Sequence, residues 1–248
     1  MMLNSDIELI EGRPIVYIKS LSALVCSDLH LGYEDMMAAK GIFIPHVNLK
    51  NILEQLCYAI EILKPKLLII NGDIKNEFSS TKTHEFNELF DFFKNIKKNN
   101  IKIILIKGNH DNYINRYKHQ FNIEIYENEF ISGKYLFFHG EFMPIGNINE
   151  VDFLIVGHEH PSIKITNDNG RIERLKCFLY SKYHNKKLLV LPAISYFALG
   201  TIINDPKSID FISPILNEIN IDSANAIAIG YNETINFGRI ELLKCVYP

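Results

Sequence analysis

Four uninterrupted apolar runs set the rhythm of the first 160 residues: Ser22–Ser27, Lys66–Asn71, Ile101–Ile106 and Phe153–Val156. Runs this short without polar alternation predict strands buried on both faces. Helical periods lie between the first three. Asn48 to Leu63 puts Ile52, Leu56, Ala59, Ile60 and Leu63 on one face, with Asn48 as a cap and Pro65 beyond the end. Thr83 to Lys98 carries a stripe of Phe86, Leu89, Phe90 and Phe93, and its last turns hold Lys94, Lys97 and Lys98, which suit the negative end of a helix dipole. Gly32 to His46 reads as a long loop or broken helix. Ile7–Glu11 and Pro14–Ile18 read as short strands around a Gly12-Arg13 turn.

From Ile123 the alternation gives way to short strands alone: Ile123–Tyr126, Glu129–Ile131, Tyr135–Phe138, Ser162–Thr166, Arg171–Leu179 and Leu188–Leu191. Thr166 to Gly170 is a hairpin turn, and His184 to Lys186 another. Ala224–Ile229, Thr234–Phe237 and Ile240–Val246 are expected as closing strands. The pattern predicts an α/β fold of two packed sheets with helices outside. No repeat or low-complexity linker divides the chain, so residues 1–248 are expected to form a single domain.

Composition adds bounds. A chain of 248 residues, 47% hydrophobic and 22% charged, suits a globular protein with a substantial core. A net charge of −3 gives no global attraction to polyanions, yet leaves room for a local basic patch or bound cations. Cys26, Cys57, Cys177 and Cys245 show no paired spacing, and the first three sit in apolar runs, so reduced, buried thiols are expected. No apolar stretch reaches membrane-spanning length, and the acidic N-terminal residues Asp6, Glu8 and Glu11 do not form a leader. A cytoplasmic protein without a membrane partner is expected.

The tips of the apolar runs change the picture. They deliver Asp28-Leu29-His30, Asn71-Gly72-Asp73, Gly108-Asn109-His110-Asp111 and Gly157-His158-Glu159-His160, while Tyr135–Phe138 delivers His139. Polar groups gathered at the C-terminal ends of buried strands make a poor core and a good site. Asp28, His30, Asp73, Asn109, His139, His158 and His160 offer oxygen and imidazole donors without a thiolate, which suits manganese, iron, zinc, nickel or cobalt. Seven donors are too many for one tetrahedral ion and about right for two ions sharing a bridge. A lone histidine such as His139 is ordinarily a satisfied or surface residue, but its place in this ordered set reverses that reading. His46, His84, His119 and His184 lack such context and are read as surface residues. Arg116, Lys118 and His119, just past the Asn-His-Asp segment, are the better candidates for attracting an anionic substrate.

In this order, Asp-x-His, Gly-Asp, Gly-Asn-His-Asp, a lone His and Gly-His-x-His resemble the motifs of the calcineurin-like metallophosphoesterases. The resemblance implies a four-layer α-β-β-α sandwich with two divalent ions, manganese foremost. It implies that Asp28, His30 and His160 hold the first ion, that Asp73 bridges, and that Asn109, His139 and His158 complete the second. A bridging hydroxide would attack phosphorus, His110 would protonate the leaving oxygen, and Asp111 would orient His110 through its other ring nitrogen. Asp28-Leu29-His30-Leu31-Gly32-Tyr33-Glu34, Gly41-Ile42-Phe43-Ile44-Pro45, His160-Pro161 and Val190-Leu191-Pro192-Ala193 are similar to the archaeal SbcD-related phosphoesterases and the bacterial DNA-ligase-associated phosphoesterases, found alongside a DExH-box helicase. That likeness implies a phosphodiesterase or nuclease acting on DNA or RNA in a repair setting, with a helicase as partner. A small-molecule phosphatase or cyclic-nucleotide phosphodiesterase, and a non-catalytic platform for a helicase or repair partner, are the alternatives. Asn76 stands where the double-strand-break nucleases often have His and purple acid phosphatases have Tyr, and only 88 residues follow His160. A large DNA-clamping cap and end-specific exonuclease action on duplex DNA are therefore not expected. The Gly32–His46 segment, following two ligands directly, is expected to wall the site.

Overall fold

The computed structural model describes residues 1–77, 83–166, 169–205 and 210–244. The chain runs β1 (Ile7–Leu9), β2 (Val16–Ile18), β3 (Ala23–Cys26), α1 (Tyr33–Ala39), α2 (Asn48–Leu63), β4 (Leu67–Asn71), α3 (Thr83–Lys97) and β5 (Lys102–Ile106). It continues through α4 (Lys118–Phe121), β6 (Ile123–Tyr126), β7 (Glu129–Ser132), β8 (Tyr135–Phe138), β9 (Phe153–Val156), β10 (Ser162–Thr166), β11 (Ile172–Tyr183) and β12 (Lys186–Val190). It closes with α5 (Pro214–Asn217), β13 (Asn225–Ile229), β14 (Thr234–Arg239) and α6 (Ile240–Lys244).

Two sheets result. The first has the order β1-β2-β3-β4-β5-β6, and β3 to β6 are parallel. The second has the order β14-β13-β11-β12-β9-β8-β7, with β10 paired to β11 off this path and β12, β9 and β8 parallel. Strand periodicity sorts side chains into layers. Leu24, Cys26, Leu68, Ile70, Ile103 and Leu105 face α2 and α3. Their neighbours Val25, Ile69, Ile104 and Ile106 face Tyr135, Phe137, Phe153, Ile155 and Leu189 of the second sheet. Leu136, Phe138, Leu154, Val156 and Val190 form an outer core with Ile215, Leu216 and Ile240. The result is the expected sandwich of two sheets flanked by helices, the outer layer over the second sheet being built from the short α5 and α6.

Several local readings need correction. The buried stripe of α3 is Leu89, Phe92, Phe93 and Ile96, whereas Phe86 is partly exposed. Phe86 and Phe90 instead cover Tyr117 and Phe121, with ring centroids 5.5 and 5.2 Å apart. Ile240–Lys244 is helix rather than strand, because Ile240 drops into the outer core where a turn brings one face inward. Cys57 is exposed on α2, while Cys26 and Cys177 are buried and free. The expected turn at Thr166–Gly170 includes residues 167–168, and the end of the last expected strand includes Cys245; both parts lie outside the described residues. Among the described residues no helix is long and apolar enough to cross a membrane.

Candidate metal centre

Parallel strands point their C-terminal ends one way, so β3, β4, β5, β8 and β9 present their following loops at one edge of the sandwich. The backbone turns sharply there. Asp28, His30, Asp73, His158 and His160 take left-handed φ values of 59°, 47°, 49°, 67° and 49°. Such values are uncommon for residues with a side chain and gather at functional sites.

The structure brings the sequence-predicted donors together. Ligand atoms of Asp28, His30 and His160 lie within 4.8 Å of one another, as do those of Asp73, His139 and His158. His160 Nε2 is 2.9 Å from Asp28 Oδ1 and 3.4 Å from His30 Nε2. His139 Nε2 is 3.3 Å from Asp73 Oδ2 and 3.1 Å from His158 Nδ1. Asp73 also groups with His30 and His110, so it stands between the two sets.

Burial sets the protonation states. Burial would raise Asp28, but the charges of His160, His139 and His30 outweigh it and hold the carboxyl well below the usual range. Asp73 is lowered likewise, His139 outweighing burial. Burial pushes His30 and His158 down to about 4, aided by the neighbouring His160 and His139 respectively. Burial would also lower His139, yet the Asp73 and Asp28 carboxylates push it up to about 10. Ionised carboxylates and neutral imidazoles are the forms that bind metals, and a cation here competes with the His139 proton.

The donor set passes a further test. His30 Nδ1 and Asn109 Oδ1 are buried atoms with no hydrogen-bond partner among the described residues. Buried polar atoms are normally satisfied. Oxygen and imidazole donors with free lone pairs, beside two ionised carboxylates, fit divalent cations.

Support beneath the donors was partly invisible in the sequence. Ser27 Oγ lies 2.5 Å from Asp28 Oδ2 and 2.8 Å from the Asn71 carbonyl, and its single hydrogen is shared between these two acceptors. Asn71 Nδ2 donates to the carbonyls of Phe138 and Ile155, tying β4 to β8 and β9 across the two sheets. Asn48 is no cap: it lies inside α2 behind Val47. Its amide donates to the carbonyls of Leu29 and His30 at 3.0 and 3.1 Å, and its Oδ1 accepts from Tyr196 N at 2.8 Å. Glu34 does the capping instead, accepting from Val47 N and Asn48 N. With 1% exposure, Glu34 does not face substrate.

His110 and Asp111 need the largest correction. His110 Nδ1 lies 2.5 Å from the Asn76 carbonyl, which can only accept, so Nδ1 carries a hydrogen. Nε2 is 3.8 Å from Asp73 Oδ2. The expected place of Asp111 beside the ring is thus taken by a backbone oxygen. Asp111 is fully buried and accepts from Ile74 N and Lys75 N through Oδ1 and from Gly108 N through Oδ2. It fastens the Asp73 loop to the Gly108 loop. Burial and the charge of Asp73 push it up to about 7 against those donors. The Asn76 segment is held in turn by Glu85, which accepts from Asn76 N and Glu77 N and pairs with the buried Lys75 at 3.5 Å.

The surroundings offer a cleft of about 80 Å³ lined by Lys107, His139, Glu141, Phe142 and Met143 among others. Tyr113, Arg116, Lys118 and His119 are exposed just beyond Asp111. His84 and His184 are exposed as expected. His46 is 59% exposed, yet stands 4.0 Å from Asp35 and 3.9 Å from Glu88.

A model of the calcineurin-like phosphoesterases matches residues 21–162, a span that contains every candidate ligand. Among solved structures, the chain is similar to the Pseudomonas putida nuclease MPE, with a TM-score of 0.65 and 22% identity over 93% of this chain and 94% of that one. The similarity shows a common fold. A looser likeness, with a TM-score of 0.44 and 15% identity over 86% of this chain and 96% of the other, is to Yfce, a phosphoesterase from E. coli. No curated protein matches.

Proposed function

Since the chain belongs to the calcineurin-like phosphoesterase family and is a metal-dependent phosphoester hydrolase, we propose that it cleaves phosphodiester bonds of nucleic acid with two divalent ions, manganese foremost. The observation that carries this reading is the convergence of Asp28, His30, Asp73, His139, His158 and His160 beside the unpartnered Asn109 Oδ1. Asp28, His30 and His160 would hold one ion, Asn109, His139 and His158 the other, and Asp73 would serve both. When bound, such a pair polarises a phosphoryl oxygen and makes water a nucleophile near neutral pH.

The chain's own residues do the rest. The Asn76 carbonyl fixes the Nδ1–H tautomer of His110. Nε2, the nitrogen nearer Asp73, must then carry a second proton, and this imidazolium passes it to the leaving oxygen and returns to the Nδ1–H form. Asp111 keeps the loops of Asp73 and His110 in register and touches no substrate. Exposed Arg116 and Lys118 beside the site supply local attraction for a polyanion that the net charge of −3 does not. The Pseudomonas putida neighbour being a nuclease supports the same choice of substrate. Because both sheets contribute ligands, we read residues 1–248 as one functional domain. The small cleft beside His139 favours a second reading, a small phosphate ester as substrate.

The test is hydrolysis of a nitrophenyl phosphodiester, the matching monoester, and labelled single- and double-stranded DNA, with manganese and with chelator, beside His110→Ala. Manganese-dependent cleavage of diester and DNA, reduced ~10²–10⁴-fold in the variant, is the expected result. Turnover of the monoester alone would replace the proposal with the second reading.

A further inference from the structure

Three aromatic rings from distant parts of the chain meet next to the candidate centre. Tyr33 follows His30 by three residues, and its ring stacks on Phe197 at 5.2 Å between centroids and 15° between planes. Tyr196 stands edge-on to Phe197 at 5.2 Å and is 56% exposed. More than half of the Tyr196 surface is thus open to a ligand.

The loop bearing Tyr196 and Phe197 is also held with unusual care. Ile194 N donates to the Ser27 carbonyl and Ser195 N to the Asp28 carbonyl, at 2.9 and 3.1 Å. Asn48 joins Tyr196 N to the carbonyls of Leu29 and His30. From β11, Lys176 Nζ donates to the carbonyls of Ala193 and Ser195, and the Arg174 guanidinium to those of Leu199 and Gly200. The rings are thus fixed relative to Asp28 and His30 and arrive with little entropy left to lose on binding.

We propose that Tyr33, Phe197 and Tyr196 form a stacking platform for an unpaired nucleobase flanking the phosphate at the metal centre. The proposal rests on the nucleic-acid reading above and adds the site that would take the base. A rigid aromatic face beside a phosphate-handling centre matches the two parts of a nucleotide unit, a flat π surface and an anion. Stacking is tolerant of sequence, so the platform selects unpaired strands over paired ones rather than one base over another. A base inside a duplex has both faces covered and gains nothing from it.

The experiment compares a labelled single-stranded oligonucleotide with the same strand made abasic around the cleavage site. The wild-type enzyme is expected to show about a tenfold lower KM for the base-bearing strand. Tyr196→Ala and Phe197→Leu are expected to abolish that preference while cleaving the abasic strand as the wild type does. Phe197→Tyr, which keeps the stack, should restore the preference. Variants that keep the wild-type preference would overturn the platform. Cleavage of a small diester but no oligonucleotide would instead overturn the nucleic-acid reading. In that event anisotropy with the same strands decides the platform: tighter binding of the base-bearing strand, lost in Tyr196→Ala, supports it, and equal binding of the two overturns it.

Discussion

Asp28, His30, Asp73, His158 and His160 each hold a left-handed backbone, and each such residue costs about 1–3 kcal/mol. The cost is offset by neighbours that fix the same geometry: Asp28 N donates to the Gly72 carbonyl and His30 N to that of Asp73, both at 3.0 Å. Space is equally constrained. A Cβ at Gly108 would stand 2.2 Å from Asp73 Oδ1 and 2.7 Å from Asp73 N. Gly108→Ala is therefore expected to lose bound metal and activity together, as read by metal analysis of the purified protein. Asp111→Asn presents an amide to three N–H donors where a carboxylate stood. It should lower unfolding stability in urea by about 1–3 kcal/mol. The ligands themselves were legible, because residue type and order at strand tips carry the chemistry. The partner of His110 was not, because a backbone carbonyl such as that of Asn76 has no letter in the sequence. Asn48 was legible only as a cap, the commonest use of Asn at a helix start.

At the scale of elements, two side chains help stitch the sheets together. Asn71 of β4 reaches the carbonyls of Phe138 and Ile155, and Tyr135 of β8 donates to Asp6 Oδ2 at 2.6 Å. Asn71→Leu strands two buried carbonyls and should cost roughly 2–4 kcal/mol, measured as a shift of the urea midpoint. Burial would raise Asp6, but hydrogen bonds from Tyr135, Ser20 and Lys134 lower it to about 2. A carboxyl lowered on folding stabilises above its unfolded value and loses that contribution as pH falls through the folded one. The stabilisation from Asp6 is thus full above pH ~4 and gone below pH ~2. After discounting for solvent screening it amounts to about 1 kcal/mol. Asp6→Asn should remove it at pH 7 and flatten the acid limb of a stability profile. The parallel strands and α2 could be read directly, since buried runs and a clean helical stripe have few alternatives. The face of α3 could not, because Phe86 packs on Tyr117 and Phe90 on Phe121 of α4, tertiary partners that helical period does not reveal. Ile240–Lys244 is apolar enough for either state, and the burial of Ile240 in the outer core, with Leu243 packed beside it, decided for helix.

For the whole molecule, the candidate centre is a third seam between the sheets. Its donors follow β3, β4 and β5 on one side and β8 and β9 on the other. Two cations bound there would add links between the strands of the two sheets. Ligand binding at a hundred times its dissociation constant adds about 2.7 kcal/mol. For a chain of this size that corresponds to roughly 5–10 °C in Tm. Chelator should lower the melting temperature of the manganese-loaded wild type by about that much and leave Asp73→Asn unaffected, as followed by calorimetry. Two sheets were legible from the change of texture near Ile123, although Ile123–Tyr126, the first of the short strands, still belongs to the first sheet beside β5. The order of the second was not, because β12 enters between β11 and β9, a neighbour relation set by long-range pairing.

That insertion of β12 has a consequence for biosynthesis. Translation delivers β3, β4 and β5 early, with Val25, Ile69 and Ile104 on a face that Phe153, Ile155 and Leu189 later cover. While the ribosome is still adding residues up to 190, the nascent chain carries that greasy face and an open strand edge into the cell. Half-made sandwiches of this kind are prone to aggregate. The emerging polypeptide should therefore be a client for a ribosome-associated chaperone until Val190 is in place, and a stalled chain ending before β12 should be found in the pellet.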